Sequence, residues 1–154
     1  MAKGKVALVM GSKSDSEIAG KARQVLEEFG VECETVVLSA HRTPNKVRAF
    51  VAKAEAGGID VIIAIAGLAA HLPGVIASLT VLPVIGVPVD AGPLRGQDAL
   101  YSIVQMPPGI PVACVGIGNA KNAALLAVQI LATAEHGLRE KMNAFRRQFG
   151  DETD

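Results

Sequence analysis

Aromatic side chains are scarce: the 154 residues hold no tryptophan, one tyrosine (Tyr101) and four phenylalanines. A flavin-binding module needs aromatic rings to stack on the isoalloxazine, and this chain has almost none to offer. The core must therefore be built from Val, Ile, Leu and Ala, which suits parallel strands buried on both faces. Charge of one sign is also missing, because 15 Lys and Arg balance 15 Asp and Glu. Binding nucleic acid or an anionic membrane surface takes clustered positive charge, so neither is expected. Cysteine is limited to Cys33 and Cys114, far apart and outside any metal-ligand spacing. That excludes a disulfide framework or a zinc module and predicts two buried free thiols in the cytoplasm. Long hydrophobic runs are absent too. Val6–Met10 is too short for a signal peptide, and Val61–Ala70 is half of a membrane span. With half the residues apolar, intrinsic disorder is excluded, and the length predicts one domain over 1–154.

Alternation is what the chain has instead. Apolar runs at Val6–Met10, Glu32–Leu38, Asp60–Ile65, Pro83–Val89 and Pro111–Ile117 read as five strands. Between them lie helical patterns. Ser14 and Glu17 form a capping-box pair ahead of the stripe Ile18, Ala22, Val25, Leu26 and Phe29, which Gly30 ends. Thr43-Pro44 starts the next helix, and Gly57-Gly58 stops it. Helices are also expected over Pro73–Leu79, Gln97–Gln105 and from Asn119 to about Ala134. Strands alternating with helices predict a three-layer, doubly wound α/β fold: a flavodoxin-like parallel sheet in the order 2-1-3-4-5, with a further C-terminal helix. That helix spans 135–149 and carries the stripe Leu138, Met142, Phe145 and Phe149. It either packs on its own domain or grips a neighbouring subunit. The helix before it is apolar all round, which requires burial all round. A homo-oligomer is therefore expected, with the tail against a neighbour.

In this strand order the loops after strands 1, 2 and 3 are neighbours. The first, Gly11-Ser12-Lys13-Ser14-Asp15, joins a glycine, two hydroxyls and a helix N-terminus, a ready anion site. It lacks the dinucleotide and triphosphate fingerprints, so a monophosphate fits better, and Asp15 could accept hydrogen bonds from a sugar diol. A plain helix cap is the alternative. The second, Ser39-Ala40-His41-Arg42-Thr43-Pro44, puts an arginine fork beside a helix start, where it suits phosphate. His41, at a strand's carboxyl end, is placed for proton transfer near neutral pH. The third, Ala66-Gly67-Leu68-Ala69-Ala70-His71, is built of small residues that let a flat ring approach the backbone. His71 reads equally as a second functional histidine or as a structural one bonded to backbone. His136, the third histidine, reads as a solvated surface residue. No HExxH, no paired metal ligands and no Gly-x-Ser-x-Gly elbow occur. The residues alone thus describe a pocket for a small phosphorylated, ring-bearing ligand with one well-placed histidine.

Four motifs narrow this further: Val-Met-Gly-Ser-Lys-Ser-Asp (9–15), Ser-Ala-His-Arg-Thr-Pro (39–44), Ala-Ala-His-Leu-Pro-Gly (69–74) and Leu-Tyr-Ser-Ile-Val-Gln-Met-Pro (100–107). In this order they resemble the N5-carboxyaminoimidazole ribonucleotide mutase family of purine biosynthesis, over roughly residues 5–134. The resemblance implies an isomerase that moves a carboxylate from the exocyclic nitrogen of an aminoimidazole ribonucleotide to ring carbon 4. It implies decarboxylation, a trapped carbon dioxide and recarboxylation, with no metal, ATP or organic cofactor. It makes His41 the proton shuttle and Ser12, Asp15 and Arg42 nucleotide ligands. Ser39, Gly67 and Ala69 would line the ring and carboxylate pocket, and Gly11, Ser14, Ala40 and His71 complete the expected binding set. It also implies a homo-octamer. Two features depart from the family pattern: Leu68 stands where a second glycine is expected, and the 90–96 loop, with Asp90 and Arg95, differs. A sister group carboxylates aminoimidazole ribonucleotide directly with carbon dioxide, but the complete 100–107 motif favours the mutase. A non-enzymatic receiver domain would want clustered acidic residues after strand 1 and an Asp after strand 3. Here strand 3 runs into Ala66-Gly67.

Overall fold

Val61-Ile-Ile at the head of the third strand shows how the sheet forms: β-branched residues favour the pleat, and none of these three has surface left for water. The computed structural model describes residues 4–150. Its strands are β1 (Lys5–Met10), β2 (Glu32–Val37), β3 (Val61–Gly67), β4 (Val84–Val89) and β5 (Ala113–Cys114). Its helices are α1 (Ser16–Phe29), α2 (Pro44–Ala54), α3 (Leu72–Ala77), α4 (Gln97–Val104), α5 (Ala120–Leu131) and α6 (His136–Arg147). All strand pairs are parallel and the order is β2-β1-β3-β4-β5, the flavodoxin-like arrangement expected from the alternation.

Side chains alternate across the strands and so divide the core in two. Val6, Leu8, Ile63, Ile65, Ile85 and Val87 pack with α1, α5 and α6 on one face. Ala7, Val9, Ile62 and Ala64 pack with α2, α3 and α4 on the other. Gly30 ends α1 in the left-handed region (φ 74°), and its N–H reaches the carbonyls of Leu26 and Glu27. Small residues fit the tight places. A Cβ on Gly86 in β4 would lie 2.4 Å from Cγ2 of the buried Ile103 in α4, so the helix can sit this close only over glycine.

Several expectations need correction. The fifth strand shrinks from Pro111–Ile117 to Ala113–Cys114. Proline chemistry explains it. Gly86 and Pro88 are the β4 residues facing β5, and their carbonyls accept from Val115 and Gly118, but Pro88 has no N–H to return. Pro111, at the start of the run, also lacks a donor. The Ser14–Glu17 capping box does not form. Ser12, with extended backbone, caps first: its hydroxyl accepts from the Ser14 N–H, and Lys13–Asp15 form a 3-10 turn ahead of α1. Within this one chain α5 buries a single face. Its alanines 120, 123, 124 and 127 are buried, whereas Leu125, Leu126 and Ile130 are half-buried. Both cysteines are free but half-buried rather than buried, and burial pushes both thiols above their usual range.

Along the tail, Leu138 and Met142 of α6 are buried, and Phe145 meets the Phe29 ring edge-on at 5.8 Å. The Lys141 ammonium donates to the Phe29 carbonyl at 2.7 Å. The inner half of the stripe therefore covers its own domain. Phe149, at 70% exposure, does not. An open groove of about 1390 Å³ runs between α5 and α6, past Leu125, Leu126, Met142, Phe145 and Phe149.

Candidate functional site

Register brings the three loops together. Met10 is level with Val37 of β2 and with Ile65 of β3, and Gly67 is level with Val89 of β4. The chain therefore leaves all four strands at the same carboxyl edge, where open α/β sheets take their ligands. The Gly11 N–H bonds the Ile65 carbonyl at 3.0 Å and the Leu38 N–H bonds the Met10 carbonyl at 2.8 Å, holding these exits side by side.

The loop after β1 centres on Ser12, whose Oγ accepts from the Ser14 hydroxyl at 2.9 Å and from its N–H at 3.3 Å. Asp15 precedes α1 without a side-chain cap bond and is only 8% exposed. Burial pushes its carboxyl above the ordinary value, while the Ser12 backbone and the Ser14 hydroxyl pull it back. The folded chain thus holds the Asp15 proton more tightly than the unfolded chain does. Stability falls as pH rises from the ordinary carboxylate range through the folded value, so at neutral pH the ionised side chain is a cost to the fold. Asp15→Asn is expected to melt at or above the wild-type temperature at pH 7 and to lose that advantage in acid. It should also bind nucleotide more weakly. Scanning calorimetry at both pH values, with and without ligand, checks this; a lower melting temperature at pH 7 would show that Asp15 supports the fold.

The loop after β2 is tied internally. The Ser39 hydroxyl accepts from the Arg42 N–H at 3.1 Å and from Arg42 Nε at 3.4 Å. Thr43 starts α2 but does not cap it with its side chain. Its hydroxyl turns back, accepting from the Ser39 N–H at 3.0 Å and donating to the Ser39 carbonyl at 3.1 Å. Read from sequence, Thr43 has only a helix-starting role. A Ser-x-x-x-Thr spacing that lets one hydroxyl clamp the other residue's backbone is the signal it offered. His41 and Arg42 are exposed, and Ala40 is half-buried beside them.

The loop after β3 turns tightly. A Cβ on Gly67 would come 3.2 Å from Val89 Cβ and 3.3 Å from Ala91 Cβ, so the β3 and β4 exits touch here. Leu68 sits at φ 55°, a left-handed conformation that explains why glycine is the expected residue. A Cβ on Gly92 would lie 2.7 Å from Leu68 Cδ2, so the two departures from the family pattern lie against each other. Ala69 is exposed and its carbonyl accepts from the His71 N–H at 2.8 Å. Among the described residues the His71 ring bonds no backbone group. Its Nδ1 lies 2.7 Å from His41 Nε2, joining the second and third loops. His136 lies on the surface beside Glu140, at 3.4 Å.

The edge therefore holds an arginine fork, a pair of serine hydroxyls with a buried carboxylate behind them, and two imidazoles in contact. Proton transfer beside a bound anion is the chemistry such a set can do.

The AIR carboxylase family model matches residues 5–152. A relative from Methanocaldococcus jannaschii is 57% identical over 143 residues, covering 93% of this chain and 88% of that one. Relatives from Pyrococcus horikoshii and Escherichia coli are 56% and 53% identical, covering 92% and 96% of this chain and 80% and 89% of theirs. All three bear the name N5-carboxyaminoimidazole ribonucleotide mutase. The crystal structure of Treponema denticola PurE superposes with a TM-score of 0.84 at 30% identity, over 97% of this chain and 93% of that chain. By fold, by motif order and by sequence along nearly its whole length, the chain belongs to the AIR carboxylase family.

Proposed function

We propose that the chain is an isomerase of purine biosynthesis that converts N5-carboxyaminoimidazole ribonucleotide to 4-carboxy-5-aminoimidazole ribonucleotide. The observation that carries this reading is more than 50% identity to the curated mutases over more than nine-tenths of the chain. The carboxyl-edge geometry supports it.

The site is expected to work as follows. The nucleotide phosphate takes hydrogen bonds from the Ser12 and Ser14 hydroxyls, from the amides beside Gly11 and from the Arg42 fork, while Asp15 accepts from the ribose diol. Ser39, Ala40, Gly67 and Ala69 form the small-residue wall against which the ring and carboxylate lie. Breaking the carbamate N–C bond releases carbon dioxide and leaves its electron pair on the exocyclic nitrogen. Protonated His41 gives that nitrogen a proton. Carbon 4 then attacks the trapped carbon dioxide, and neutral His41 takes the proton from carbon 4. One imidazole returns to its starting state, so the net change is an isomerisation.

The purified chain is expected to turn over the carbamate nucleotide without ATP. Absence of product above the spontaneous rate would end this reading.

The enzyme is expected to act in the cytoplasm as a homo-octamer. Among the described residues, no helix is long and apolar enough to cross a membrane. The exposed Phe149 and the half-buried Leu125 and Leu126 beside the α5–α6 groove support packing of the tail on a neighbouring subunit. A chain cut after Ala134 should lose octameric mass in light scattering, or aggregate. A soluble octamer after truncation would remove the tail from the interface.

A further inference from the structure

The closest link between the site loops is the one between the two histidines. His71 is anchored at the start of α3, with its N–H on the Ala69 carbonyl and its own carbonyl accepting from the Val75 N–H at 2.9 Å. From there its ring stands edge-on to His41, the planes 87° apart and the centroids 4.8 Å apart. The 2.7 Å between Nδ1 of His71 and Nε2 of His41 leaves room for one proton. One nitrogen must carry it and the other must present a lone pair. Two protonated nitrogens would point hydrogens at each other and break the bridge. The two tautomers are therefore locked to each other. If His71 donates, His41 carries its own proton on Nδ1; if His41 donates, its Nδ1 is bare while the ring is neutral.

Among the described residues nothing else holds the His41 ring. Its contact with His71 is the one hydrogen bond that either ring makes among the described residues. An exposed imidazole turns easily about χ2, which has a broad, roughly two-fold profile. A ring free to flip would offer substrate the wrong nitrogen part of the time. We infer that His71 is a positioning residue for the proton carrier: through Nδ1 it fixes the ring plane and tautomer of His41. This rests on His41 carrying the proton in the proposed reaction. A histidine is put to comparable use when its second nitrogen is tied by a neighbour that sets tautomer and orientation.

Two substitutions and one spectrum test it. In His71→Asn the side-chain amide comes near the place of Nδ1 and keeps a hydrogen bond to His41. His71→Leu fills similar space with no polar atom. The Leu variant is expected to lose on the order of tenfold to a hundredfold in kcat, the range for removing an orienting partner of a histidine, with KM changed by about twofold or less. The Asn variant should recover most of that loss. Nitrogen-15 NMR of the ring should show one dominant His41 tautomer in the wild-type enzyme and a mixture in His71→Leu. Equal kcat losses in both variants, or a KM rise at constant kcat, would make His71 a wall of the pocket and overturn the inference. Mixed His41 tautomers in the wild-type enzyme would overturn it without any variant. The underlying reading fails separately: a fully active His41→Asn removes the proton carrier itself, whereas an inactive His41→Asn beside a normal His71→Leu sinks only the positioning role.

Discussion

His41→Asn is expected to bind the nucleotide nearly as well as the wild-type enzyme and to turn it over at least about 100-fold more slowly, the lower end of general acid–base contributions. Moving a carboxylate from nitrogen to carbon needs one proton delivered as the carbamate breaks and one removed from carbon 4 after recarboxylation. A group that takes back what it gave serves both steps, and an imidazole is suited to this near neutral pH. Of the three histidines, His136 lies on the surface beside Glu140. His41 is next to Arg42 in a loop tied down by Ser39 and Thr43. Asparagine keeps a similar size and polarity but cannot shuttle a proton. Steady-state turnover and calorimetric affinity, measured together, separate loss of chemistry from loss of binding. Near-normal turnover would overturn the mechanism. If His71→Asn proved the inactive variant instead, the roles of the two histidines would be exchanged.

Arg42→Ala should weaken nucleotide affinity by on the order of tenfold to a hundredfold, the loss of a charge-assisted contact worth roughly 1.5–3 kcal/mol. The guanidinium is exposed, and its Nε is held toward Ser39 Oγ at 3.4 Å, which leaves the two terminal nitrogens to address a phosphate. Its removal deletes no core contact, so the melting temperature should be almost unchanged. The Arg42 backbone N–H to Ser39 bond survives the substitution and keeps the loop in place. Unchanged affinity by calorimetry would remove Arg42 from the site.

These effects fall on residues that the sequence already brought forward, and the reason is physical. Buried parallel strands need unbroken apolar runs, so β1, β3 and β4 stand out, and the order β2-β1-β3 places Gly11, Ser39 and Gly67 at one edge. Strand ends with glycine, hydroxyls and cations are conspicuous against an apolar chain. The fifth strand misled because its apolar run says nothing about hydrogen-bond donors on its partner, and Pro88 lies opposite. The helix start after β1 misled because Ser12 caps a 3-10 turn that comes first, which leaves Asp15 rather than Ser14 at the N-cap of α1. The meeting of His41 and His71 was out of reach, since 30 residues separate them and only the fold sets their rings 2.7 Å apart. The extent of α5 burial was equally hidden, because an alanine and a leucine look alike in an apolar count yet lie on different faces.

A mutase moves one carboxylate within one molecule, whereas a direct carboxylase takes it from solution. The most direct measurement supplies the nucleotide with a carbon-13 carbamate, in buffer with unlabelled bicarbonate and without ATP, and follows the product carboxylate by carbon NMR. The label is expected to appear at the carboxylate of ring carbon 4 and to be largely retained, because the released carbon dioxide stays trapped until carbon 4 attacks it. Unlabelled product whose formation depends on added bicarbonate would contradict it and assign direct carboxylation instead.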